Sequence, residues 1–173
     1  MGDESAAIVR CYRPGDRDVC SALWAELAEW QRTIYDSPDA GGTEPGREFD
    51  AHLERVGPDR LWVAETADGS VVGLAGLVLA DGEAELEPLI VSEAHRGVGI
   101  GRELTHAAMS AARQAGVHAM SVRPLARNVH AISFFRELGF DVLGHIQMFI
   151  DFRPEERQPW IDGETLAGCD FRF

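Results

Sequence analysis

Lysine is absent from these 173 residues: all sixteen cationic side chains are arginines, set against 29 aspartates and glutamates. A Walker A phosphate loop needs its lysine, so a P-loop nucleotide hydrolase is excluded. The formal charge of -13 argues against a nucleic-acid partner, because a phosphate backbone is held mainly by Lys and Arg. Cysteine is scarce. Cys11, Cys20 and Cys169 are odd in number and lack CxxC spacing, so they suit neither a disulfide framework nor a zinc site. The six histidines show no HxxxH-like spacing, and no metal is expected. No apolar run approaches the roughly 20 residues a membrane helix needs. Asp3 and Glu4 stand where a secretory signal carries positive charge, so the expectation is a cytoplasmic protein with no membrane partner.

What is present reads as one α/β domain of ordinary size, long enough to bury a core without covalent staples. Ile8 to Arg13 is strand-like and closes at Pro14-Gly15, with Asp16 placed to cap a helix running to about Tyr35. Ser37 to Gly46 is a breaker cluster, after which Phe49, Leu53 and Val56 recur at helical spacing. Leu61–Ala67, Val71–Ala80 and Ala84–Ser92 are strand-length apolar runs joined by Asp68-Gly69 and Asp81-Gly82. Asp-Gly between apolar runs signals a hairpin, so an antiparallel meander is predicted. Leu104, Ala107, Ala108, Ala111 and Ala115 follow a helical period that stops at Gly116, and His118–Arg123 reads as a strand. This helix is then a crossover that sets two strands parallel. Ala131 to Leu138 reads as a fourth helix stopped by Gly139, and Phe140–Phe152 as a final pair of strands. The expected sheet is mixed, with about six to seven strands and about four helices. Residues 1–152 form the domain, and 153–173 are a polar tail or an extension of it.

The chemistry concentrates at Arg96-Gly97-Val98-Gly99-Ile100-Gly101, between a strand and an Ala-rich helix. Glycines admit a ligand close to the backbone, and the unpaired N–H groups of a helix N-terminus bind anions. A dinucleotide fingerprint fails, since Arg102 and Leu104 occupy the third-glycine positions of GxGxxG. Arg96-x-x-Gly99-x-Gly101 resembles the R/Q-x-x-G-x-G/A signature of the GNAT N-acetyltransferases. Asn128-x-x-Ala131-x-x-Phe134-Phe135-Arg136-Glu137-Leu138-Gly139-Phe140 is similar to that family's N-x-x-A-x-x-F/L-Y-x-x-L-G-F pattern. With the meander, the resemblance covers roughly Ile8 to Phe152.

The resemblance implies an N-acetyltransferase that moves an acetyl group from acetyl-CoA to a primary amine by direct attack in a ternary complex. It places the CoA pyrophosphate on the amides from Gly97 through Val98, Gly99, Ile100 and Gly101 to Arg102, after Arg96. It places pantetheine along Leu89, Ile90 and Val91, with Asn128 and Phe135 on the opposite side. Asn128 reads equally as a helix N-cap. A base is needed because an alkylamine is mostly protonated at neutral pH. Glu85 and Glu87 share one strand face, and Glu87 lies where many members carry the base; both also read as exposed sheet-edge carboxylates. The oxyanion donor would be an N–H near Ile90 or Val91. The family's tyrosine acid falls at Phe135, which has no proton to give, and Tyr35 is the candidate substitute. Trp24, Trp30, Tyr35 and the Ser37–Gly46 loop would wall the acceptor pocket, although Trp24 and Trp30 read at least as well as core residues. The acidic charge fits steering of a cationic amine and equally a solubility or salt adaptation. A homodimer is one open oligomeric state. The rival reading is a non-catalytic module of the same fold that senses CoA or acyl-CoA.

Overall fold

The computed structural model describes residues 7–35, 44–150, 152 and 160–172. Strand β1 (Ile8–Cys11) leads through a 3-10 turn into helix α1 (Arg17–Tyr35), followed by α2 (Pro45–Val56). Strands β2 (Leu61–Glu65), β3 (Val71–Ala80) and β4 (Glu83–Val91) come next. Helix α3 (Ile100–Gln114), strand β5 (Ala119–Ser121) and helix α4 (Val129–Glu137) complete the main body. Five strands form one sheet in the order β1-β2-β3-β4-β5. Its pairs are antiparallel except β4 with β5, which α3 crosses over to make parallel. The mixed α+β class and the meander are as expected, with five strands in the sheet rather than six to seven.

Both faces of the sheet are covered, which is why β2 and β3 are apolar at consecutive positions rather than alternating. On one face α3 lays down Ile100, Leu104, Ala108 and Ala112, one stripe at helical spacing, against Trp62, Ala64, Leu77, Ala84 and Leu86. On the other, α1 and α2 bring Cys20, Leu23, Phe49 and Val56 onto Leu61, Val63, Leu74 and Ile90. Each such Leu or Phe stabilises the fold by about 1.5–3 kcal/mol relative to exposure. The β3–β4 hairpin turns at Asp81 and Gly82, with φ of 51° and 80°, the two positive values a two-residue primed turn requires.

Asp16 corrects one expectation. Its carboxylate does not cap α1 but turns back, accepting from the Arg13 N–H at 2.7 Å and from the Arg10 guanidinium at 2.7 and 2.9 Å. The Arg10 hydrogen bonds hold this carboxyl below its ordinary range. Phe140–Phe152 is a second correction, for residues 140–150 form no strand. Val142, Leu143, Ile146, Met148, Phe149 and Ile150 stand exposed there. Apolar content favours a strand only where a neighbouring edge accepts its backbone, and this run joins no ladder among the described residues. The last two strands are instead β6 (Asp162–Leu166) and β7 (Cys169–Arg172), a separate antiparallel hairpin inside the expected tail. It turns at Ala167-Gly168, with φ of 52° and 76°. No described helix is long and apolar enough to cross a membrane.

Candidate active site

The site grows from two irregularities in β4. The first is its register against β3: Ala75 pairs with Leu89 but Leu77 with Leu86, leaving Gly76 opposite both Glu87 and Pro88. The extra residue breaks the two-residue alternation of the strand. Ala84 and Leu86 pack on the α3 side before the bulge, and Leu89 and Val91 do so after it, while Ile90 joins the α1/α2 side. A Cβ on Gly76 would overlap the Glu87 carbonyl oxygen and stand 2.9 Å from His52 Nε2, so only glycine fits opposite the bulge.

The second irregularity is the parting of β4 from β5. Their pairing runs from Glu83↔Ala119 to Glu85↔Ser121 and then stops. Leu89, Ile90 and Val91 remain paired to β3, but among the described residues β5 offers them nothing. Their second edge is therefore open to an extended ligand. The strand leads into a 3-10 turn (Glu93–His95) and the glycine loop. Arg96 turns its side chain back, donating from Nε to the Val91 carbonyl at 2.9 Å and reaching Glu26 of α1 at 3.5 Å. Glu26 also accepts from the Glu93 N–H at 2.7 Å, so α1 secures the root of the loop.

Gly97 and Gly99 have φ of 81° and 95°, the left-handed region that L side chains seldom adopt. Gly99 is the N-cap of α3, with no side chain capping the first turn. The N–H groups of Gly97 to Gly101 donate to no protein acceptor among the described residues. A Cβ on Gly97 or Gly99 would meet nothing within 4 Å, whereas one on Gly101 would lie 3.5 Å from the Phe134 ring. The loop thus presents free donors to open space at the positive end of a helix dipole, which is anion-binding chemistry. Arg102 pairs with Glu137 at 3.2 Å, tying the start of α3 to the end of α4.

The two carboxylates lie before the parting strands. Glu85 is 18 % exposed and meets Arg123 Nε at 3.1 Å; Glu87 is 42 % exposed and meets Arg55 Nη2 at 2.8 Å. Burial pushes the Glu85 carboxyl above its ordinary value, with Arg123 opposing and Glu87 adding to the rise. Asn128 caps α4, its side-chain oxygen accepting from the Ala131 N–H at 3.0 Å. Phe135 packs against the α3-side core, in edge contact with Phe134 and Phe140 at 5.1 and 5.6 Å. Tyr35 ends α1, its ring 4.9 Å beneath the Arg127 guanidinium. Trp24 lies at the α1–α2 seam beside Phe49 and His52. The acceptor loop of the sequence reading falls largely outside the described residues, which resume at 44.

Sequence reasoning does not single out His52 and Arg55. Their one signal is an i, i+3 spacing that puts both on one side of α2, and its meaning depends on where α2 docks. Arg55 Nη2 lies 3.0 Å from His52 Nδ1 as well as 2.8 Å from Glu87.

A carboxylate pair, an open strand edge and a loop of free amides thus follow one another along β4 and its exit from a mixed sheet. Residues 24–140 match the Acetyltransferase (GNAT) family. A streptothricin acetyltransferase from Streptomyces lavendulae is 33 % identical over 156 residues, covering 78 % of this chain and 82 % of that protein. The fold recurs in a GNAT-family acetyltransferase from Staphylococcus aureus MU50, with TM-score 0.65, 14 % identity, and coverage of 78 % of this chain and 84 % of that one. An aminoglycoside N-acetyltransferase in complex with CoA superposes with TM-score 0.66 at 16 % identity, over 88 % of this chain and 99 % of that one. The chain belongs to the GNAT family, and it is an N-acetyltransferase.

Proposed function

We propose that the chain moves the acetyl group of acetyl-CoA to a primary amine of a small, cationic molecule, in the class that the names of its streptothricin and aminoglycoside relatives indicate. The observation that carries this reading is the run of N–H groups from Gly97 to Gly101 with no acceptor among the described residues, beside the open edge of Leu89 to Val91. Acetyl-CoA supplies an activated acetyl thioester when bound. The loop amides of Gly97, Val98, Gly99, Ile100 and Gly101 would hold its pyrophosphate; the Arg102 N–H, expected to join them, instead donates to the Gly99 carbonyl at 3.0 Å. The β4 edge would pair with its pantetheine arm, and an N–H near Ile90 or Val91 would face the developing oxyanion. With its side-chain oxygen used in the cap, Asn128 would offer its amide N–H groups to the cofactor from the α4 side, where Phe135 would add an apolar contact.

Glu87 takes the role of base, directly or through water, with the more buried Glu85 behind it. Both carboxylates also favour a cationic acceptor, as does the charge of -13. Neither Phe135 nor the covered Tyr35 is needed as an acid. A thiol of pKa about 8.5 leaves as thiolate at about pH 7 for roughly 2 kcal/mol. Work on a soluble, cationic acceptor suits a cytoplasmic enzyme.

The test is release of free CoA from acetyl-CoA in the presence of streptothricin, aminoglycosides and simple diamines. Wild type should turn over a cationic member of this panel. Glu87→Gln should lower kcat by about a hundredfold at about pH 7 and by clearly less at about pH 9.5, where more amine is already neutral. An equal loss at both pH values removes Glu87 from the role of base.

A further inference from the structure

Between α2 and the β4 bulge lies a polar group that neither the sequence motifs nor the reaction scheme uses. His52 is 4 % exposed, packed beside the Trp24 ring at 5.2 Å. Its Nδ1 is 3.0 Å from Arg55 Nη2. A guanidinium only donates, so Nδ1 must accept, and the imidazole is neutral with its proton on Nε2. Burial lowers the His52 pKa, which agrees with the neutral form. Among the described residues Nε2 makes no hydrogen bond of good geometry, and its near acceptor is the Glu87 backbone carbonyl, across the space where Gly76 lacks a side chain. The same Arg55 nitrogen reaches Glu87 Oε2 at 2.8 Å.

We propose that His52 and Arg55 form a positioning unit for Glu87: the buried imidazole aims the Arg55 guanidinium, and that guanidinium holds the carboxylate toward the parting of β4 and β5. The inference rests on Glu87 acting as the base. Arg55 is itself half exposed, at 53 %, and a surface pair of two long side chains normally contributes little because both wander. A second, buried acceptor on the same nitrogen removes that freedom. Placement of a catalytic group to within a fraction of an ångström is what such a support contributes to rate. In this arrangement His52 and Arg55 act through Glu87, so their effect belongs in kcat and not in acetyl-CoA affinity.

The experiment measures kcat, both KM values and melting temperature for Glu87→Gln, Arg55→Met, His52→Asn, His52→Leu and the Arg55→Met/His52→Leu double variant. Arg55→Met, at an exposed position, keeps the fold and should lower kcat about tenfold or more, with KM for acetyl-CoA unchanged within about twofold. Asparagine places an acceptor oxygen near the Nδ1 position, so His52→Asn should stay within about threefold of wild type while His52→Leu falls to the Arg55→Met level. The double variant should be no slower than Arg55→Met alone, as expected of residues acting through one carboxylate. Wild-type kcat in Arg55→Met beside a large loss in Glu87→Gln overturns the positioning unit alone. His52→Asn as slow as His52→Leu also overturns it, as do losses that multiply in the double variant. Wild-type kcat in Glu87→Gln overturns the base assignment and the proposal with it.

Discussion

The two halves of β4 solve opposite problems. Up to and including the bulge, Glu85 and Glu87 each have an arginine partner, Arg123 and Arg55, brought from regions distant in sequence. After it, the edge of Leu89 to Val91 and the amides of Gly97 to Gly101 meet nothing on their open side among the described residues. Charged side chains on a flexible surface need partners to stay in one geometry, because their rotamer entropy is large. Backbone donors need none, since the strand and helix already hold them. A site that must bind a long anionic thioester and also steer a proton can therefore leave its backbone bare and clamp its carboxylates.

The largest effect on this contrast is expected at the hinge between the halves. Gly76→Ala puts a methyl group into the Glu87 carbonyl oxygen and against His52. Overpacking against backbone costs about 1–3 kcal/mol, and melting should fall by about 5–10 °C. Turnover should fall with it as the carboxylate half is displaced. An unaltered melting temperature in a thermal scan contradicts the close fit at the bulge.

Gly99→Val tests the bare half. Valine is strained at φ 95° and would deform the free-amide loop, so calorimetric titration should show acetyl-CoA affinity reduced by at least about tenfold. Melting should change less than in Gly76→Ala, because nothing packs over Gly99 within 4 Å. Equal affinity in both proteins would detach the loop from cofactor binding.

The smallest effect is expected at Phe135, outside both halves. Its ring lies in edge contact with Phe134 and Phe140 on the α3-side core. Phe135→Tyr should raise kcat by tenfold or less, since thiolate departure at about pH 7 already costs only roughly 2 kcal/mol. A rise of a hundredfold or more in steady-state assays would mean that a missing acid limits the enzyme.

Much of this molecule is legible without coordinates, and the reasons are local. Gly99 at the N-cap of α3, the Asp81-Gly82 hairpin and the α3 stripe of Leu104 and Ala108 depend on neighbours a few residues away. The parallel pairing of β4 and β5 follows from the crossover, and Asn128 is a cap in the structure as its type suggests. The apolar run 140–150 misled because hydrophobic content says that a segment favours burial and not which edge receives it. The β6–β7 hairpin escaped notice because Ala167-Gly168 is a weaker turn signal than Asp-Gly, set among polar residues.

By itself, then, the amino-acid sequence determined the mixed fold, the glycine loop and the presence of two carboxylates on one strand, all consequences of short-range backbone preference and periodicity. Only the tertiary structure decided what those carboxylates meet. Glu87 and Arg55 are 32 positions apart, and their contact exists because α2 packs Phe49 and Val56 onto the sheet over Gly76, a strand position where no side chain fits. Such a contact is set by the packing of surfaces remote in sequence, for which local residue pattern carries no signal.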